Sequence, residues 1–127
     1  MPYNILFDFS IDRYSSVLHT RLRLDACALN YYLFRMCKKV FPACLCGADH
    51  ETVKHYLIKC PFYAALRSHL LTCAATLFPE RWSNISDSML LSSFLNGSSL
   101  LTLDKNKELF FHVQRFIIES KRFKKGD

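Results

Sequence analysis

Cys44, Cys46, His55 and Cys60 follow one another in the order C-x-C-x8-H-x4-C. Thiolate sulfur and imidazole nitrogen are the donors that Zn2+ prefers, and structural zinc sites take Cys and His in this ratio from short segments. Three sulfurs and one nitrogen fill a tetrahedron and leave no position for substrate or water. The expected role of the ion is therefore structural, to hold shape rather than do chemistry. His50 lies in the same stretch and competes for the fourth place, although the four-residue gap to Cys60 and a helical placement favour His55. Cys37 is a remote substitute ligand, while Cys27 and Cys73 read as core thiols.

To converge, these side chains need elements on both sides of the loop. From Asp12 to Lys39 the apolar residues Val17, Leu18, Leu22, Leu29, Leu33 and Met36 recur at mostly three- or four-residue spacing, which predicts helix. Asp25 can break this run in two and cap the second half. Pro42 ends it. Cys44 to Gly47 is expected to be a tight turn, in which glycine lets backbone amides approach the thiolates without a Cβ clash. Residues from about Asp49 to Lys59 read as a short helix with Asp49 or Thr52 near its start, His55 projecting from it and Cys60 at its end. A further helix is expected from Pro61 to Phe78, with Leu66, Leu70, Cys73 and Leu77 on one face and Pro79 as its stop.

A polar connection around Ser83 to Asp87 leads to a brief helical run, Ser88 to Leu95, ended by Asn96-Gly97-Ser98-Ser99. The last helix is expected from about Asp104 to Phe123, with Leu109, Val113, Phe116 and Ile117 as its core stripe. Lys121, Arg122, Lys124 and Lys125 at its end suit the negative pole of a helix and read as solvated. Phe110, Phe111, Phe116 and Phe123 point to more than one side, as in a helix that is buried or packs against something outside the chain. The expected fold class is thus mainly α, a small helical domain with a short turn, or knuckle, as its zinc site. Helices over 11–80 flank the knuckle at 44–60, and a C-terminal helical segment at 86–124 packs on them.

With 127 residues, 50% of them hydrophobic, and only 3 Gly and 4 Pro, the composition fits one folded, helix-rich domain. Met1 to Ser10 has no positive n-region, apolar run or small-residue cleavage site, so secretion is not expected. Charged residues or His interrupt every apolar run well short of the eighteen or so residues of a membrane span. The expectation is an intracellular protein of the nucleus or cytoplasm, with no membrane partner. In a reducing compartment the 6 cysteines serve as metal ligands or core thiols rather than bridges.

The net charge of +6 favours polyanionic partners. Arg13, Arg21, Arg23, Arg35, Lys38 and Lys39 crowd the stretch before the knuckle, opposed after Asp12 only by Asp25. One reading is a solvated helix face. The other is a phosphate-gripping surface of Arg21, Arg23, Arg35, Lys38 and Lys39, with Arg21 and Arg23 favoured because guanidinium binds phosphate bidentately. Tyr31, Tyr32 and Phe34 lie among them and can stack on unpaired bases.

The succession Arg21-Leu22-Arg23, Leu29-Asn30, Leu33, Pro42-Ala43-Cys44-Leu45-Cys46-Gly47, Glu51-Thr52, His55-Tyr56-Leu57, Cys60-Pro61, Tyr63, Arg67 and Leu70 resembles the C-terminal region of reverse transcriptases from non-LTR (LINE-type) retrotransposons. Glu108-Leu109-Phe110, Val113-Gln114, Phe116-Ile117 and Arg122-Phe123 resemble the tail that closes many such polyproteins. The resemblance covers roughly residues 11 to 124 and centres on the family's CCHC motif. It implies structural Zn2+, RNA or DNA as partner, and a position beside the polymerase during target-primed reverse transcription. The polymerase itself is missing from this sequence, which has no Tyr-x-Asp-Asp box and only scattered acids among its 11. Cys73 with His69 or His112 carries no local signature of a nucleophile and base. No enzymatic activity is expected, and the chain reads as the terminal module of a truncated element copy. The alternatives are a zinc-stabilised module that docks on the polymerase region and an inactive relic.

Overall fold

The computed structural model describes residues 12–123. The opening stretch read for a leader, and Lys124 and Lys125 of the basic end, lie outside them. The protein is mainly helical, with no strand among the described residues. Among the described residues, five α-helices follow in order: α1 (Arg13–Arg23), α2 (Asn30–Arg35), α3 (Ala64–Leu77), α4 (Asp87–Asn96) and α5 (Leu103–Ser120). Between α2 and α3 run the cysteine turn, a π-helical turn at His55–Lys59 and a 3-10 turn at Pro61–Tyr63.

Helix α5 is the spine against which α3 and α1 pack, and α4 contacts both α1 and α5. Leu109, Phe110, Val113, Phe116 and Ile117 of α5 are all buried, a stripe at three- and four-residue spacing that one face of a helix requires. Ser15, Leu18, His19 and Leu22 make the matching stripe on α1. At the centre the two helices meet through polar groups. Ser15 Oγ donates to Gln114 Oε1 at 3.1 Å, Gln114 Nε2 lies 3.1 Å from His19 Nδ1, and His19 Nε2 lies 2.7 Å from the Phe94 carbonyl of α4. Burial holds His19 well below its ordinary value, at about 4, so it is neutral. A neutral ring donates through Nε2 to Phe94 and accepts at Nδ1 from Gln114, which satisfies both nitrogens.

Side chains cap the starts of α1, α4 and α5. Asp12 Oδ1 accepts from Ser15 N at 2.7 Å while Ser15 Oγ accepts from Asp12 N at 3.2 Å, a reciprocal box at the start of α1. Ser86 and Thr102 cap α4 and α5 in the same manner, by accepting from Met89 N and Lys105 N.

The stretch between α1 and α2 departs from expectation. Asp25 does not cap the second helix; it lies beyond α1 in the left-handed region, at φ 57, and pairs with Arg35 at 3.2 Å on the surface. Helix α2 is only six residues long and has no local side-chain cap. Its first amides are met from a distance: Asn30 N donates to Glu51 Oε1 at 2.8 Å and Tyr31 N to the Glu51 carbonyl at 3.2 Å. Of the apolar residues whose spacing predicts helix, Val17 is exposed because it lies off the buried α1 stripe, and Met36 because it follows the end of α2. Helix α5 ends at Ser120, and Lys121 adopts φ 54 and turns the chain back, so Phe123 is buried.

Candidate metal centre

Pro42 brings the chain out of the loop after α2, and its carbonyl accepts from Glu51 N at 2.8 Å, closing the cysteine loop at its base. Within it, Gly47 N donates to the Cys44 carbonyl and Cys44 N to the Ala48 carbonyl, both at 3.0 Å. Gly47 has φ +103, a conformation that L side chains rarely adopt. The expected reason for the glycine is corrected here: a Cβ at this position would meet nothing within 4 Å. Backbone conformation, not crowding by thiolates, demands it.

The helix expected from Asp49 to Lys59 starts later and is of another kind. Thr52 Oγ1 accepts from His55 N at 3.1 Å and so caps the turn, whereas Asp49 takes no part. Cys60 N then donates to the His55 carbonyl at 2.7 Å, five residues back, which makes this a π turn. On an α-helix, residues five apart point about 140° from each other. The wider ring brings His55 and Cys60 toward one side, where both can face the cysteine turn.

The ligand atoms of Cys44, Cys46, His55 and Cys60 all lie within 4.8 Å of one another. Cys44 Sγ and Cys60 Sγ are 3.8 Å apart, and Cys46 Sγ and His55 Nε2 3.2 Å. A tetrahedron with Zn–S arms of about 2.3 Å and a Zn–N arm of about 2.05 Å has S–S edges of about 3.8 Å and S–N edges of about 3.5 Å. The four side chains can therefore hold a metal ion. His50 is outside the group, its ring set against Tyr31 with centroids 5.0 Å apart, and Cys37 is exposed on the surface. Cys27 and Cys73 are buried thiols.

Burial pushes the Cys44 thiol up to about 12 and raises Cys60, while the Ala48 backbone amide leads the interactions that lower Cys46. Burial also lowers His55, favouring the neutral imidazole that a metal requires. A divalent cation reverses this balance by favouring the thiolates.

Three polar residues that the sequence reading did not single out as site residues hold the ligands in place. Arg67, only 4% exposed, reaches back from α3 and donates from Nη2 to the Tyr56 carbonyl at 2.9 Å, from Nε to Leu57 at 2.8 Å and from Nη1 to Cys60 at 2.8 Å. These are the carbonyls that the end of a helical turn leaves without amides, and Pro61 has no N–H to offer. Glu51 lies with Oε2 3.9 Å from Cys44 Sγ, and Arg122 donates to it twice, from Nη2 to Oε1 at 2.6 Å and from Nε to Oε2 at 2.9 Å. Arg122 also reaches Asn30 Oδ1 at 3.3 Å. The solvated helix end expected for Arg122 is thus corrected: it lies past the helix and clamps the cysteine loop. Burial works to raise the Glu51 carboxyl, and Arg122 with the Asn30 amide outweighs it, so the group stays ionised below its ordinary value. Arg67 and Glu51 stood within the motif sequence, but neither composition nor period distinguished them from surface charges.

The basic residues are dispersed rather than focused. Arg21 and Arg23 occupy the last turn of α1, where residues two apart face different sides of the helix. Arg35 pairs with Asp25, and Lys39 Nζ donates to Asn30 Oδ1 at 2.8 Å. Lys38 is exposed beside it. Around these cations the loop presents apolar side chains that the sequence reading passed over: Val40 is 79% exposed, Phe41 74% and Leu45 89%. Of the expected stacking residues, Phe34 is exposed and Tyr31 and Tyr32 are half-buried. Phe110, Phe116 and Phe123 are buried in this chain, leaving Phe111 and Ile118 as the large apolar residues that α5 exposes beyond its first residue.

Among the described residues no helix is long and apolar enough to cross a membrane. The chain matches no family model, curated protein or solved structure.

Proposed function

We propose that this chain is a non-catalytic nucleic-acid-binding accessory module of a non-LTR retrotransposon reverse transcriptase, built around a structural Zn2+ held by Cys44, Cys46, His55 and Cys60. The observation that supports the metal part of this reading is the 3.8 Å separation of Cys44 Sγ and Cys60 Sγ, one edge of a zinc–thiolate tetrahedron, within a group of four possible ligands; the retrotransposon relation rests on the sequence resemblance alone. With zinc bound, three thiolates and one cation leave a net charge of about −1 at the centre, which the Arg67 guanidinium offsets from the Cys60 carbonyl. The Arg122–Glu51 pair is internally neutral.

Support for the nucleic-acid partner lies in the loop that the zinc would stiffen. Phe41 and Leu45 are exposed there, following Lys38 and Lys39, and Phe34 and Arg35 are exposed at the end of α2. An exposed ring offers a stacking platform for an unpaired base, and neighbouring cations take the phosphates. Arg21 and Arg23 contribute long-range attraction rather than a joint contact.

The test is a titration of labelled single-stranded RNA at several salt concentrations, with zinc and after chelation. Affinity falls steeply with salt, weakens on Phe41→Ala and on Lys38→Ala with Lys39→Ala, and is lost with Cys60→Ser or chelator. Salt-independent binding, or binding that survives chelation undiminished, overturns the reading. The alternative of a zinc-stabilised module that docks on the polymerase region is favoured by one feature, the Phe111 and Ile118 pair one heptad apart on α5. It predicts no RNA binding, and loss of polymerase association on Phe111→Ala.

A further inference from the structure

Residues of α3 and α5 line a surface cleft of about 440 Å³. Its walls carry two facing pairs, each spaced by four residues so that both members share a helix face: His69 and Cys73 on α3, and Glu108 and His112 on α5. The ligand atoms of Cys73, Glu108 and His112 lie within 4.8 Å of one another. Cys73 sits at the buried floor, 9% exposed, His112 is half-buried and Glu108 lies at the rim. The ring of Phe111 stands edge-on to His112, with centroids 5.4 Å apart. Arg115, the cation of the cleft, is held by Glu119 at 2.6 Å.

We propose that this cleft is a second divalent-metal site, with Cys73 Sγ, a Glu108 carboxylate oxygen and a His112 ring nitrogen as ligands and one coordination position facing the cleft. Thiolate, imidazole and carboxylate together suit Zn2+, or Co2+ in its place, better than Mg2+ or Ca2+, which take oxygen donors. Three protein ligands with an open fourth position distinguish this site from the closed knuckle. His69, one turn from Cys73 on the cleft wall, lies outside the three-ligand group. The fourth position therefore belongs to water or an exchangeable anion.

The experiment is metal stoichiometry of the full chain by native mass spectrometry with Zn2+, paired with Co2+ absorption. Two ions bind per wild-type chain. Glu108→Gln with His112→Ala reduces this to one and leaves the strong three-thiolate charge-transfer band. Cys46→Ser with His55→Ala also reduces it to one and leaves the weaker band of a single thiolate, which Cys73→Ala abolishes. Glu108 is exposed and His112 half-buried, so the double variant keeps the fold, as circular dichroism verifies. One ion in both wild type and the Glu108→Gln, His112→Ala variant overturns the second site, as do two ions in both. One ion in wild type and none in that variant supports the cleft site and instead sinks the knuckle.

Discussion

Arg67→Met tests whether the metal ligands are positioned by the bundle or only by the ion. The guanidinium satisfies the carbonyls of Tyr56, Leu57 and Cys60 at 2.8–2.9 Å, and all three belong to the turn that presents His55 and Cys60. Methionine keeps the apolar stem over Phe116, whose ring centroid lies 5.7 Å from the guanidinium carbon, but donates nothing. A hydrogen bond from a charged donor contributes about 1.5–3 kcal/mol, and a buried acceptor left bare costs about 1–3 kcal/mol. Three such bonds on one donor are not additive, because the freed turn relaxes. The expected loss is about 3–5 kcal/mol of stability. Outer contacts of this kind also set metal affinity, with losses of about 10–100-fold when they are removed. Urea unfolding of the zinc-loaded chain reads the first quantity, and competition with a chromophoric chelator reads the second. Arg67→Lys keeps the charge but cannot reach three carbonyls, so it recovers less than half of either loss. An Arg67→Met chain with an unchanged urea midpoint and zinc affinity within about twofold of wild type would refute the argument, since that result means the turn holds its shape without these bonds.

Three further outcomes follow from the same structure. Glu51→Gln weakens the two charge-assisted bonds from Arg122 and costs about 1.5–3 kcal/mol in urea unfolding, and a double-mutant cycle with Arg122→Met shows coupling; purely additive losses would contradict the clamp. His19 resists protonation when folded, so stability is full above pH 6.5 and is lost as pH falls toward 4; the gap between 6.5 and about 4 converts to about 3 kcal/mol, of which about 2 is lost by pH 5. Wild type should therefore lose about 2 kcal/mol more than His19→Gln between pH 7 and 5, and equal losses would show that His19 is not the sensor. Gly47→Ala costs about 1–2 kcal/mol through its positive φ alone, and replacing Gly47 with D-alanine costs nothing; destabilisation by both would mean that crowding matters after all.

The parts of the fold legible in the sequence are those set by local period and capping. The α5 stripe of Leu109, Val113, Phe116 and Ile117 and the α3 residues Leu70, Cys73 and Leu77 are buried as their spacing demands, while Leu66 of the same face is half-buried. A helix buries one face whatever it packs on, so three- and four-residue periodicity reports it directly. Thr52 acts as a cap for an equally local reason. The four residues of the C-x-C-x8-H-x4-C spacing converge into a group that could hold a metal ion. Asp25 misled because a capping side chain is as much at home beyond a helix as before one, and the amides of α2 were already taken by Glu51.

By itself the sequence determined a helical chain with one cysteine- and histidine-rich loop suited to a metal, since donor type and periodic burial are properties of short segments. Tertiary structure alone decided that Arg122 clamps Glu51 from 71 positions away, that Arg67 completes the π turn, and that Cys73 meets Glu108 and His112 across a cleft. Polar partners this distant leave no period to read. Each pairing depends on how α5 lies across α1 and α3, and that placement comes from the packed core as a whole.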